Sequence, residues 1–355
     1  MIRMAERRDT RLRFEQWAHN PECGANTISA VLGVRMSEVA KRDGIKPTMG
    51  QSPFALARGR VFEKRLFDKD AARLREAMEV AGVLPAGSDG FGDMRLRQNG
   101  GSKLVTIEEA IDATSQFLRR IGVRTLPPKG DDAHPTIVAG ATLRIPANVM
   151  LPEAILIVDV LAIRYDADAP RIHVGEIKTY PDRGGYTDTA DLAGARAQAG
   201  IYLHGLRLTV AKLGLDGRIT CDDKGFLVLT KPGSNRPSVR AGEDLKYQAW
   251  RAERGFAQLE TTANDLGNSK PTDPVAEVQG ADTEYTSACL SFCDRAPKCF
   301  AAAVREQRAV ILGEDVERFL SGTSLPRAVE LLDGASPEND AERDLARRLN
   351  GEERA

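Results

Sequence analysis

The sequence predicts an α/β fold with a central mixed β-sheet flanked by helices. Three observations predict it. Apolar runs at 136–145, 154–165 and 171–178 follow one another with the length and β-branched content of strands. A long helical pattern occupies 190–213, and another strand-like run, Gly225-Phe226-Leu227-Val228-Leu229-Thr230, comes after it. A helix stands upstream of the first run, so the order helix, three strands, helix, strand describes the core.

Taken in order, residues 1–52 form an N-terminal helical segment. There Asn26 is placed to cap a helix beginning at Thr27, with Ile28, Val31 and Leu32 on one face. Residues 53–82 read as one long helix, with Phe54, Leu56, Val61, Phe62, Leu66, Phe67, Leu74 and Met78 in a broad apolar stripe. Pro53 suits its first turn and Gly82 its end. Residues 85–103, rich in Gly and polar side chains, read as a loop that opens an insertion running to about 135. Thr106 with Glu109 three residues on is a capping-box pattern for a helix at 106–121. After the strands a second long helix fits 239–264, and this core spans 53–265. Residues 266–282 lack periodicity and read as a linker. A helical module at 283–332 carries a cysteine trio, and 333–355 is a charged tail expected to fray.

The chain has 355 residues, 42% of them apolar and 28% charged, with a formal net charge of −1. That balance suits a globular protein with a sizeable core and excludes one that coats nucleic acid by bulk electrostatics. Local basic stretches (Arg3, Arg7, Arg8, Arg11 and Arg13; Arg58, Arg60, Lys64 and Arg65; Arg119, Arg120 and Arg124) read first as solvated faces, and together with the near-neutral total they still suit an enzyme that holds a few phosphates. The first eight residues contain no apolar run, which predicts no secretory leader. No run approaches the roughly 20 apolar residues of a membrane span. A cytoplasmic protein without membrane contact is expected, in which cysteines are metal ligands or free thiols more often than disulfides.

One polar residue interrupts the strand Ile155-Leu156-Ile157-Val158-Asp159-Val160-Leu161-Ala162-Ile163. An ionised carboxylate there costs several kcal/mol unless paired or metal-bound. In the next strand, Ile172, Val174, Glu176 and Lys178 share a face by period two, while Gly175 and Ile177 point the other way. Two carboxylates on neighbouring strands suit a hard cation such as Mg2+ or Mn2+. Such an ion polarises a phosphate and acidifies a bound water, and a lysine beside it offsets charge in the transition state. The same three residues also suit a buried ion pair serving only the fold. Gln198 and Tyr202, spaced i,i+4 on the following helix, could each donate to a phosphate or a metal-bound water, or simply pack.

Asp159, the Gly175-Glu176-Ile177-Lys178 run, Gln198 with Tyr202, and the upstream Ala57-Arg58-Gly59-Arg60-Val61-Phe62-Glu63 together resemble the RecB-like branch of the PD-(D/E)xK nuclease superfamily, over roughly 53–230. The resemblance implies a restriction-endonuclease-like core. It implies metal ligation by Asp159, Glu176 and the Ile177 carbonyl, with Lys178 beside the water and Gln198 and Tyr202 completing the catalytic set. It also implies that Glu63 joins the metal site, where exonucleolytic members usually carry His.

Cys289, Cys293 and Cys299 are close enough in sequence to meet one metal centre, and Cys23 at the other end completes a set of four thiolates that suits an iron–sulfur cluster or Zn2+. Cys221, just before the strand at 225–230, reads as an inert core thiol. One cysteine before the core and three after it resembles the iron–sulfur nucleases of CRISPR adaptation and of AddB-type helicase–nucleases. The family's trio is separated by two residues and then five; here the gaps are three and five. That resemblance implies a structural [4Fe–4S] cluster that ties the two ends of the chain into one module. No Gly-x-x-x-x-Gly-Lys-Ser/Thr run occurs, so a helicase motor would be another protein.

The expected function is metal-dependent hydrolysis of DNA phosphodiester bonds, exonucleolytic on single strands or ends by family resemblance. Protein partners in DNA-repair or CRISPR and phage-defence complexes are in keeping with it. Two alternatives stay open: a non-catalytic subunit that keeps the fold to grip DNA or a partner, and a zinc-stapled nuclease acting on another nucleic acid.

Overall fold

The structure is a computed structural model that describes residues 10–49, 53–95, 106–123, 135–145, 154–165, 169–267 and 270–351. The chain divides into two units, one of 1–12 with 51–269 and the other of 13–50 with 270–355.

In the first unit the elements in chain order are helices α1 (Thr10–His19, shared across the boundary), α4 (Pro53–Leu66) and α5 (Ala72–Val80), strand β1 (Phe91–Asp93) and helix α6 (Ile107–Ile121). Strands β2 (Ile137–Arg144), β3 (Ile155–Tyr165) and β4 (Pro170–Pro181), helix α7 (Thr189–Lys212), strands β5 (Thr220–Cys221), β6 (Lys224–Thr230) and β7 (Pro237–Asp244), and helix α8 (Lys246–Asp265) follow. Among the described residues the strands form a seven-stranded mixed sheet in the order β1-β2-β3-β4-β6-β7, with β5 beside β4. Strands β2, β3 and β4 run antiparallel as a meander. The long helix α7 then carries the chain back to place β6 parallel to β4, which a tight turn cannot do.

Helices cover both faces of this sheet. Phe62, Leu66, Phe67, Leu74 and Met78 of the α4–α5 region bury against Ile137, Ala139, Val160, Ala162, Phe226 and Val228. Leu192 and Ala195 of α7 bury against Leu227 and Leu229. Leu227 and Val228 are adjacent on one strand and so point to opposite faces. The described residues contain no helix long and apolar enough to cross a membrane.

Besides the Asn26 cap in the second unit, five local expectations differ from what is found. The helix over 53–82 is two helices, broken where Lys69, Asp70 and Ala71 all take positive φ. Such backbone costs about 1–2 kcal/mol per non-glycine residue, and the burial of Phe67, Ala71 and Leu74 at the break offsets it. The loop over 85–103 holds β1, which pairs parallel with β2 through Phe91, Gly92 and Asp93. The helix expected from 239 starts at Lys246, because 237–244 is an edge strand on β6. The linker over 266–282 contains helix α9 (Pro274–Gly280), capped by the Asp273 carboxylate on the Ala276 amide. The tail folds as helix α14 (Asp340–Leu349).

The second unit is helical: α2 (Gly24–Leu32), α3 (Met36–Arg42), α9, α10 (Cys289–Phe292), α11 (Ala296–Arg305), a 3-10 turn at Ala309–Leu312, α12 (Glu314–Leu320), α13 (Leu325–Leu332) and α14. Asn26 does not cap α2, whose N-cap is Cys23. It is buried, and its amide donates to the Gln16, Trp17 and Asn20 carbonyls. Leu320, Ala328, Leu331 and Leu345 make a small core that holds α14 down, and Arg327 bonds Glu342 at 2.8 Å.

Polar contacts join the two ends of the chain within this unit. The Asp43 carboxylate accepts from Gln279 Nε2 at 2.8 Å, Arg295 Nε at 2.8 Å and Lys298 Nζ at 2.7 Å. Asp294 Oδ1 accepts the Thr48 and Met49 amides at 2.7 and 2.8 Å. The Ala25 amide donates to the Asp282 carbonyl at 2.9 Å.

Candidate functional site

Strand β4 builds one candidate site through the alternation of its side chains. Glu176 pairs in register with Leu227, which places it on the face that α7 covers, and Gly175 pairs with Phe226 on the other face. A Cβ on Gly175 would stand 2.3 Å from the Phe226 ring and 2.7 Å from Val160 Cγ1, so only glycine fits there. Glu176 is fully buried, and Lys178 Nζ lies 3.0 Å from its Oε1. The same ammonium donates to Gln198 Oε1 on α7.

Asp159 sits where the strand ladder is interrupted. Its pairing partner on β2 would be Gly140, but the ladder passes from Ala139↔Val160 to Ala141↔Val158, and Gly140 takes φ +73°. On the other side the paired register with β4 ends at Val160↔Gly175. In place of a ladder bond, Asp159 Oδ2 accepts the Ile177 amide at 3.0 Å. The carboxylate is thus held against the Glu-Ile-Lys run by a backbone donor.

Glu63 on α4 belongs to the same electrostatic neighbourhood. Burial first, and then the Asp159 charge, push its carboxyl above the ordinary value, against the pull of Arg95. Arg95 Nη1 lies 3.4 Å from Glu63 Oε1, and its guanidinium grips both Asp93 oxygens at 2.9 Å and stacks 4.3 Å over the Phe67 ring. Asp93 and Arg95 lie in a stretch whose composition reads as a loop, and only the pairing of β1 with β2 brings them here.

The structure therefore brings Asp159 to the Ile177 amide, Glu176 to Lys178 and Lys178 to Gln198 by contact, and Glu63 to Asp159 by charge. Tyr202 is 2% exposed and packs within the fold rather than presenting its ring, and Gln198 is 7% exposed. Arg95 pairs with Glu63 and Asp93, and Lys178 pairs with Glu176. Among the described residues no group of three His, Cys, Asp or Glu side chains stands in metal-ligating geometry. What suits a hard divalent cation here is the chemistry of the donors, carboxylate and carbonyl oxygens.

The second candidate site lies wholly in the helical unit. Cys23, Cys289 and Cys293 are buried and Cys299 is half-buried. Burial pushes the Cys293 thiol up to about 12, and the Cys289, Cys299 and Cys23 sulfurs act in the same direction. Cys299 is raised by burial first and by Cys23 and Cys289, against Arg295 and Thr283. The four sulfurs are therefore electrostatic neighbours, although 266 residues separate Cys23 from Cys289 (289 − 23). Cys289 Sγ accepts from Asn20 Nδ2 at 3.4 Å and from the Thr286 amide at 3.4 Å. Four neighbouring thiols form a donor set that a bound metal, which ionises its thiol ligands, would satisfy. Cys221 stands apart in β5, raised to about 12 chiefly by burial.

Comparison with protein-family models, with curated proteins and with solved structures gives no match for this chain.

Proposed function

We propose that this chain is a metal-dependent DNA nuclease of the RecB-like PD-(D/E)xK type, acting on single strands or DNA ends, with a structural iron–sulfur cluster held by Cys23, Cys289, Cys293 and Cys299. The observation that supports the reading is that Glu63 is raised by burial and by the Asp159 charge, while Asp159 is held on the Ile177 amide and buried Glu176 lies against Lys178. Asp159, Glu176, Glu63 and the Ile177 carbonyl would hold Mg2+ or Mn2+. When bound, that ion would supply positive charge and polarise the scissile phosphate.

The remaining work falls to the protein's own groups. Lys178 is pinned between Glu176 and Gln198, and its ammonium would offset negative charge growing on the phosphoryl group. Gln198 orients Lys178 through that bond, and buried Tyr202 supports the helix that carries Gln198. The Ile177 amide fixes the Asp159 rotamer. In the helical unit, a cluster or a Zn2+ ion on the four thiols would add to folding free energy by closing the chain between its ends.

The test is degradation of end-labelled single-stranded DNA by purified protein in Mn2+ or Mg2+. Wild type is expected to degrade it and to stop on chelation, while Asp159→Ala and Lys178→Ala are inactive with unchanged circular dichroism. Undiminished cleavage by either variant overturns the assignment. Anaerobically purified protein should show a broad visible band with stoichiometric iron and sulfide; a colourless, zinc-loaded protein would replace the cluster by Zn2+.

A further inference from the structure

The outer face of α8 carries four groups that neither candidate site uses. Tyr247, Trp250, Arg251 and Arg254 recur at i, i+3, i+4 and i+7 and so lie along one stripe of the helix. All four are exposed, Tyr247 by 60% and Trp250 by 46%. The rings of Tyr247 and Trp250 stand 5.8 Å apart with a 32° tilt. The Arg254 guanidinium lies 4.9 Å from the Trp250 ring centroid, and that of Arg251 lies 6.0 Å from the Tyr247 centroid. Among the described residues neither arginine forms an ion pair. A soluble surface has little reason to hold two large aromatic rings in water beside two uncompensated cations.

The position of the stripe ties it to the sheet site. Helix α8 crosses α7 at Gly200, where a Cβ would stand 2.4 Å from Gln248 Cβ and 2.7 Å from the Gln248 carbonyl carbon. Gly200 lies between Gln198, which bonds Lys178, and Tyr202. Gln248 in turn is the neighbour of Tyr247, so the stripe begins one residue from that close crossing. Seven residues of helix span about 10 Å, room for two or three bases stacked at about 3.4 Å.

We propose that the Tyr247–Trp250–Arg251–Arg254 face of α8 is a stacking platform for single-stranded DNA, which seats unpaired bases on the two rings and the backbone phosphates on the two guanidiniums. The proposal rests on the nuclease reading for its choice of occupant and assigns the surface that would hold the unpaired strand. Aromatic faces take any base, and the arginines match the phosphate charge. A base-paired duplex hides its ring faces within the stack, so the rings discriminate for single strands.

Trp250 reports on this directly. The chain has two tryptophans, and the other, Trp17, is buried with its indole N–H on Thr27 Oγ1. Titrating oligothymidine into the full chain in the presence of chelator should quench tryptophan fluorescence in wild type and leave Trp250→Phe unquenched. Anisotropy of a labelled oligothymidine should show Kd rising about tenfold in Trp250→Ala, within the range for loss of one stacked base. Arg251→Ala with Arg254→Ala should flatten the salt dependence of binding, by a log–log slope of about 0.7 for each phosphate no longer neutralised. Cleavage of oligothymidine without quenching would overturn the platform and leave the nuclease reading intact. Quenching by oligothymidine in a protein that cuts nothing would remove the nuclease reading and keep the platform. Equal binding of duplex, tighter binding of oligouridine, or no response to any oligonucleotide would overturn the assignment, the last in favour of a protein partner.

Discussion

Two carboxylates, one in each unit, have been moved in opposite directions by their surroundings. Asp43 in the helical unit has a side chain only 3% exposed, and burial alone would raise it. Three donors (Lys298, Gln279 and Arg295) reverse that and hold it below its ordinary value. Glu63 in the sheet unit is raised by burial and by the Asp159 charge, and its cationic neighbour Arg95 is already committed to both oxygens of Asp93. A carboxylate with all its donors supplied locks two segments of chain together. A carboxylate raised by burial and by a like charge gains from a cation beside it. The first pattern locks the fold, and the second is the one a metal site would need.

The largest effects should come from the sheet site. Glu176→Ala, Asp159→Ala and Lys178→Ala should each lower metal-dependent cleavage by about 10³-fold or more, the scale expected when a group facing developing charge is lost. Equal melting of variant and wild type would show that these groups do not maintain the fold. If Lys178→Ala instead unfolds the sheet unit and activity per folded molecule is unchanged, the Glu176–Lys178 contact is an ion pair serving the fold.

Asp43→Ala should lose about 3–5 kcal/mol, because it strands the buried Arg295 guanidinium, read as an early transition in urea that leaves the sheet intact. The pH dependence has a definite sign. Asp43 is depressed in the folded state, so its stabilisation is present above the unfolded value of about 3.9 and is lost as pH falls through the folded value. The helical unit should therefore come apart first on acidification, and Asp43→Ala should remove that acid-labile step.

Cys→Ala at position 23, 289, 293 or 299 should lose iron and leave the helical unit sensitive to protease. Cys221→Ala should keep iron and cost on the order of 1 kcal/mol. Iron retained in Cys23→Ala but lost in Cys221→Ala would place the fourth ligand in the sheet unit. The smallest effect is that of Glu63→Gln. Because the folded carboxyl is raised, its ionisation opposes folding once pH passes the unfolded value of about 4.3. The glutamine should raise the melting temperature of metal-free protein slightly at neutral pH and leave it unchanged in acid.

The two units also differ in what can be read from sequence. Strands β2, β3, β4 and β6 and helices α6 and α7 lie within a residue or a few of where periodicity places them, because each buries a regular apolar pattern against the sheet. The Thr106–Glu109 capping box forms as its spacing predicts. The proximity of Glu176, Lys178 and Gln198 follows from period two and a helix repeat. Strand β7 does not: 237–244 alternates weakly, and its edge position leaves one side of the ladder unpaired. The break at 68–71 carries no glycine or proline to announce it. Asp43 is equally silent, since its partners are 236–255 residues away and no local pattern encodes a contact of that range. Arg95 needs the β1–β2 pairing to be known first.

If the sheet carboxylates form a metal site, a divalent cation should bind them, and their like charges should cost stability when it is absent. Both halves of that statement are open to calorimetric titration of Mn2+ into wild type and into the Asp159→Asn, Glu176→Gln double variant, with melting of both proteins in chelator measured alongside. Wild type should bind Mn2+ and the double variant should not, and the double variant should melt higher than wild type when no metal is present. Equal Mn2+ binding by the two proteins, or none by wild type, would mean that the cluster needs no metal to balance it.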